Sequence, residues 1–187
     1  MKLIETKKTP YPVSEPFRNY LTRFDRLAPL PLDYSDLLRY SSAIALYEEI
    51  LGLDRDYAPA SINLGTLYFH MRQYLRAEEF YRRATIADPG YVLAYFDLGN
   101  VLDELERPDE SIAAYKQAVA LSPRYADAHY NLALAYERKT QHRPALRHWQ
   151  AYLRIDKCGP WADHARSQIR KLLSREKLSI AARADRF

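Results

Sequence analysis

The sequence predicts an all-α fold, a solenoid of stacked helix-turn-helix hairpins, from three observations. The first is a repeat: "ADPGYVLAYFDLGN" at 87–100 is echoed by "LSPRYADAHYNLAL" at 121–134, so that Pro89 answers Pro123, Tyr91 answers Tyr125, Tyr95 answers His129 and Leu98 answers Leu132. The offset is 34 residues, and one further step back from Leu98 reaches Leu64 in "APASINLGTLYF". The second is periodicity: within each copy, apolar side chains recur at three- and four-residue spacing in two runs separated by a turn, the pattern of two short amphipathic helices. The third is composition. With 48% apolar and 13% aromatic residues the chain can build a core, and five glycines against 16 tyrosines suit aromatic-packed helices better than a glycine-rich phosphate cradle. Neither a G-x-G-x-x-G motif nor a Walker loop is present.

The elements follow in chain order. Residues 1–38 read as a lead-in whose Pro10, Pro12, Pro16, Pro29 and Pro31 favour extended chain, with one short helix near Phe17–Leu27. Residues 39–57 read as a degenerate half repeat: Ala43, Tyr47 and Ile50 lie 34 positions before Ala77, Tyr81 and Ala84, but the helix that should precede them falls on Pro29 and Pro31. The full units are 58–91, 92–125 and 126–159. The first carries Leu64, Gly65 and Tyr68, then Ala77, Tyr81 and Ala84 after a turn around Met71–Tyr74. The second carries Tyr95, Leu98, Gly99 and Leu102, then Ser111, Tyr115 and Ala118, and the third His129, Leu132, Ala133 and Tyr136, then Ala145, Trp149 and Tyr152. Gly65, Gly99 and Ala133 share one place, where a small residue lets the helices of a hairpin approach closely. Pro89 and Pro123 end the second helix of their units, because proline cannot continue it and drives the preceding residue to extended backbone; the last unit has Lys157 there. A repeat array must cover its final apolar face. "GPWADHARSQIRKLL" suits that task over 160–177, with Pro160 at a helix start and Trp161, Ala165, Ile169, Leu172 and Leu173 as one stripe. Residues 178–187 read as a tail.

These residues resemble the tetratricopeptide repeat family: Leu-Gly followed by an aromatic, then Ala and an aromatic, then Pro, at a period of 34. Similar Pro-Trp-Ala helices follow the last repeat in many bacterial members. The resemblance implies a right-handed α-α superhelix in which the first helices of successive hairpins line a concave groove that binds an extended or helical peptide of another protein. Carried over by register, the groove residues are Ile62, Asn63, Thr66, Phe69 and His70; Phe96, Asp97, Asn100, Asp103 and Glu104; and Tyr130, Asn131, Leu134, Glu137 and Arg138. Asn63, Asp97 and Asn131 stand at one equivalent position, similar to members whose asparagines hold ligand backbone through a paired donor and acceptor. Asp97 departs from that ladder, since a carboxylate accepts but does not donate. With Asp103 and Glu104 it predicts a ligand bearing Lys, Arg or an amino group, against the plainer reading of a solvated acidic face. The family's carboxylate clamp for chaperone C-termini uses Lys, Asn and Arg; Ile62, Thr66, Asp97 and Asp127 or Leu93 occupy such places here, so a heat-shock chaperone tail is not the expected ligand.

Charge is unevenly distributed. Residues 1–40 carry +2, residues 41–137 carry −7 and residues 138–187 carry +9. The basic end, with Arg166, Arg170, Lys171, Arg175, Lys177, Arg183 and Arg186, could neutralise phosphates, but the acidic middle would repel a strand threading the groove. Nucleic acid is therefore not the expected partner. The asymmetry also offers a second reading, a self-assembling unit whose basic cap docks on an acidic neighbour as a homo-oligomer. No enzyme is expected. His70, His129, His142, His148 and His164 are dispersed, neither H-E-x-x-H nor Cys-x-x-Cys occurs, and only His142 and His148, converging with His164 or Cys158, could form a cluster near the cap. No cofactor or metal is implied. Cys158 is the only cysteine, the start "MKLIETKK" lacks the long apolar run of a secretory peptide, and no stretch of about 18 apolar residues could span a bilayer. The expectation is a cytoplasmic protein without a membrane span.

Overall fold

A computed structural model of the chain describes the backbone of residues 34–184 and the side chains of residues 40–174. The lead-in and its short helix near Phe17–Leu27 lie outside the described residues. The chain divides into two compact units, Met1–Arg39 and Tyr40–Phe187, and the hairpin array is the second.

Every regular element among the described residues is a helix. They are α1 (Tyr34–Leu53), α2 (Ala58–His70), α3 (Tyr74–Ala87), α4 (Val92–Glu104), α5 (Pro108–Leu121), α6 (Ala126–Arg138), α7 (His142–Ile155) and α8 (Pro160–Ala184). Helices α2 and α3, α4 and α5, and α6 and α7 pair as hairpins, and each hairpin packs on the next through α3 on α4, α5 on α6 and α7 on α8. Helix α1 begins at Tyr34, inside the stretch read as lead-in, and α8 runs past residue 177 to Ala184, into the stretch read as a tail.

The hairpin contact rests on the small residues. A Cβ placed on Gly65 would lie 2.6 Å from Cε1 of Tyr81, and one on Gly99 would approach the Tyr115 ring closer still. Tyr81 and Tyr115 are almost fully buried, and Ala133 in the third hairpin lies buried in one cluster with Trp149. The prolines act as their chemistry requires. Asp88 and Ser122, each preceding a proline, cap α3 and α5 in extended backbone at φ −134°. Asp156 caps α7 in a similar conformation, φ −119°, although Lys157 follows it; the fold sets this conformation, and proline reinforces it.

The turn inside each hairpin repeats just as strictly. Arg72, Glu106 and Thr140, at the 34-residue period, all adopt φ between 55° and 57°. Around each, the amide of the following residue reaches back to close the helix: Gln73 N to Tyr68 O at 2.8 Å, Arg107 N to Leu102 O at 2.9 Å and Gln141 N to Tyr136 O at 2.9 Å. This is the Schellman geometry, normally hosted by glycine because a Cβ is crowded there. A β-branched residue tolerates it worst. Thr140→Gly is expected to stabilise the protein by about 0.5–1 kcal/mol despite the added freedom of the unfolded chain, with urea denaturation as the check; an equal loss would show that Thr140 is held by contacts that outweigh its backbone strain.

The cap differs in detail from the stripe read from sequence. Ala162, Ala165 and Leu172 are buried against Tyr130, Trp149 and Tyr152, with Ile169 partly buried beside them. Trp161 is 65% exposed and Leu173 41% exposed. The covering face is thus 162, 165, 169 and 172, rotated from the predicted one, while Trp161 sits at its margin with its ring edge-on to Tyr130 at 5.3 Å between centroids.

Candidate interaction face

The first helices of the hairpins lie side by side. Helix α2 touches α4 directly, and Asn131 and Arg138 of α6 reach Asn100 and Asp103 of α4. Their common surface is where the register placed the groove, and the structure sorts its residues into three kinds.

Some are interior. Ile62 is 3% exposed and Tyr130 9% exposed, so neither presents a side chain to a ligand. Tyr130 packs among Trp149, Tyr152 and Trp161, and its hydroxyl is hydrogen-bonded to Nδ1 of His164 at 2.6 Å. Phe96 and Leu134 are partly buried against the two core clusters, Phe96 on Tyr115 and Tyr125. At these positions the core and the groove compete for the same side chain, and burial wins because the helices are narrow.

Others are tied into hydrogen bonds within the array. The Asn131 side-chain amide donates to Asn100 Oδ1 at 2.8 Å, the same oxygen that accepts the Tyr115 hydroxyl at 2.8 Å. Asp103 accepts from the Ser111 hydroxyl at 2.6 Å and the Tyr115 hydroxyl at 3.1 Å, and pairs with Arg138 at 2.5 Å. Burial and the Asp103 carboxylate push the Tyr115 hydroxyl well above the ordinary tyrosine range. Glu137 accepts the Trp149 indole N–H at 2.5 Å, and the Thr66 hydroxyl donates to Ile62 O and accepts from Tyr81. Glu104 meets the hydroxyl of Tyr74. Asp103 and Asn131 therefore act first as joints between hairpins. The three-carboxylate face read from sequence is corrected to one in which Asp103 is already neutralised by Arg138.

The remaining positions are partly exposed: Asn63, Phe69, His70 and Asp97. Phe69 lies against Tyr74 at 5.4 Å between ring centroids. Asp97 stands apart electrostatically. Its carboxyl accepts a hydrogen bond from Asn100, and partial burial desolvates it enough to push its pKa up to about 7. Among the described residues no Lys or Arg side chain pairs with it, and its charge raises the Tyr81 and Tyr125 hydroxyls, which burial has already raised.

The histidines converge differently from the expectation. His129 Nε2 meets the Pro123 carbonyl at 3.1 Å, which places the proton on that nitrogen and leaves Nδ1 to accept from His148 Nδ1–H at 3.0 Å. Desolvation first, then His129 and the cations Arg147 and Lys116, push His148 down to about 4. His148 thus pairs with His129 and stacks on Tyr136, while His164 pairs with Tyr130 and meets Trp149 edge-on at 5.7 Å between ring centroids. Cys158 is exposed, and among the described residues no group of three or more His, Cys, Asp or Glu side chains could hold a metal ion. No helix among them is long and apolar enough to cross a membrane.

A sequence profile described as tetratricopeptide repeat matches residues 39–98, and a second, described as TPR repeat, matches residues 104–139. Together they span just over half of the chain. Among solved structures, the crystal structure of MamA is similar with a TM-score of 0.61 and 23% identity, covering 81% of this chain and 99% of that one. The first TPR of Spaghetti (RPAP3), bound to the HSP90 peptide SRMEEVD, matches with a TM-score of 0.60 at 19% identity over 64% of this chain and 93% of its own. The Arabidopsis OM64 TPR domain matches with a TM-score of 0.58 at 17% identity over 61% and 94%. At these identities the likeness is one of fold. No curated protein matches the sequence significantly.

Proposed function

The chain belongs to the tetratricopeptide repeat family of protein-interaction modules, and on that premise we propose that it holds a partner protein in a cytoplasmic assembly through the face formed by α2, α4 and α6, and that the partner presents a lysine or arginine to Asp97. One observation carries the reading: Asp97 stands half-buried on the middle helix of the face, and among the described residues no Lys or Arg pairs with it. A partly desolvated carboxylate without a counter-ion is unfavourable, and local violations of this kind concentrate where a protein has a task other than folding. A partner's ammonium or guanidinium would supply the missing charge in a low-dielectric site, where a charge-assisted hydrogen bond is strong. Asn63, half-buried on α2 of the same face, would hold ligand backbone through its amide. The peptide in the RPAP3 complex, SRMEEVD, is acidic at its end; Asp97 would repel such a sequence, so the ligand class proposed here is the opposite one.

The test is a peptide array of short segments with and without Lys or Arg, probed with wild type and Asp97→Asn. Retention of basic segments by the wild type, reduced about tenfold or more in the variant as expected when one partner of a desolvated pair is removed, supports the assignment. Equal retention by both proteins, or none by the wild type, overturns it.

A further inference from the structure

Between hairpins, opposite charges are matched. Glu78 of α3 pairs with Arg107 at 2.7 Å, Arg82 with Glu110 at 2.9 Å, Asp109 with Lys139, and Asp103 with Arg138. Each of these pairs joins one hairpin to the next. The two ends of the array break the pattern. On α1, Tyr40 and Leu51 are buried, Glu49 is exposed on the opposite side and Glu48 is exposed on the flank, followed after the helix by exposed Asp54 and Asp56. No cation pairs with any of these four carboxylates among the described residues. On α8, the side opposite Ala162, Ala165 and Leu172 carries exposed Arg170 and Lys171, with no carboxylate paired to either among the described residues; Arg166 nearby is held by Asp163 and the Lys157 carbonyl. Apolar side chains accompany both sets: Leu46 at 56%, Leu53 at 86% and Tyr57 at 46% exposure at the acidic end, Trp161 at 65% and Leu173 at 41% at the basic one.

We propose that these two ends bind one another between copies of the chain, the acidic outer side of α1 on one molecule docking against the basic outer side of α8 on the next. The charges are complementary, neither set is paired among the described residues, and each is accompanied by large exposed apolar groups of the kind that mark interaction sites. The contact is heterologous, since different patches meet, so it generates an open chain of molecules unless the rotation between them closes a ring. It leaves the face around Asp97 free, and so is independent of the partner assigned to that face.

Sedimentation velocity of the full chain at rising protein concentration tests this. The expected result is a mass that grows with concentration at low salt and collapses toward the monomer at high salt, because the Debye length contracts from about 30 Å at 0.01 M to about 3 Å at 1 M. Two charge-reversed proteins, Arg170→Glu with Lys171→Glu and Glu48→Lys with Glu49→Lys, should each remain monomeric where the wild type associates, and should co-assemble into chains of alternating composition when mixed, because one then carries two acidic ends and the other two basic ends. Asp97→Asn should associate like the wild type. A wild type that stays monomeric at every concentration, or reversed proteins that associate as it does, overturns the proposal, as does a mixture that remains two separate monomers. Circular dichroism of the reversed proteins, with helicity equal to the wild type, establishes that a lost association is not lost folding.

Discussion

Gly99→Leu is expected to destabilise the protein by about 1–3 kcal/mol, the usual effect of overpacking a closed site, and to lower the melting temperature by about 2–4 °C per kcal/mol at this chain length. The position leaves no room even for a methyl group, because the Tyr115 ring already occupies the space of the Cβ. Nor can the ring easily withdraw: its hydroxyl is held by Asn100 and Asp103, and Asp103 in turn by Arg138 of the next hairpin. The loss should therefore extend beyond one hairpin. Gly52 is the control. A Cβ there meets nothing within 4 Å, so Gly52→Ala in α1 should be stabilising by roughly 0.5–1 kcal/mol through helix propensity alone. Calorimetry of the two variants separates packing from propensity; a Gly99→Leu protein that melts like the wild type would show that Tyr115 is not anchored as described.

Asp97→Asn is expected to stabilise the folded chain at pH 8 by about 1–3 kcal/mol, the scale on which buried polar groups affect stability, and to have little effect near pH 4. The sign follows from proton linkage. In the unfolded chain this carboxyl titrates at the ordinary aspartate value of 3.8, and in the folded chain at about 7. The folded state thus binds the proton more tightly. The stability contributed by protonated Asp97 is fully present below pH 3.8 and is lost as the pH rises through 7. Asparagine removes the charge and matches Asn63 and Asn131 at the equivalent position, so the difference between the proteins should open across that window. Urea midpoints at several pH values are the check, and curves that remain parallel from pH 4 to 8 would mean that Asp97 is solvated in the folded state.

The same substitution should weaken retention of basic peptides, so stability and binding move in opposite directions at one residue. That opposition distinguishes a residue kept for recognition from one kept for packing.

The period of 34 was enough to place the hairpins, the glycine and tyrosine pairs and the prolines, because each is decided within one repeat or by one neighbour. The face was harder to read. Asp103 resembles a free groove acid until Arg138 of the following repeat is laid beside it, and that contact depends on the angle between hairpins, which no periodicity encodes. Asn131 likewise fits a ligand-holding ladder until Asn100 claims its amide. The turns at Arg72, Glu106 and Thr140 carry no glycine, so nothing in their residue types announced a left-handed backbone. In the cap, Trp161 was assigned to the buried stripe by its apolarity, whereas the helix phase is set by Ala162 and Ala165, whose small side chains allow α8 to sit close on α7. The His129–His148 pair was hidden for the opposite reason: it lies within one repeat, but the proton arrangement that joins it is fixed by the Pro123 carbonyl from the connection between repeats.

Because each hairpin closes its own turn and packs on the next, the array is close to a one-dimensional chain of coupled units. Such a chain has no single unfolding event. Each terminal unit has one neighbour and each internal unit two, so opening starts at the ends and advances inward, and slow amide exchange should be concentrated in α4 and α5. The boundary between ordered and opened segments can then stop at any junction, and the strength of the Glu78–Arg107 and Asp103–Arg138 junctions sets how far it travels.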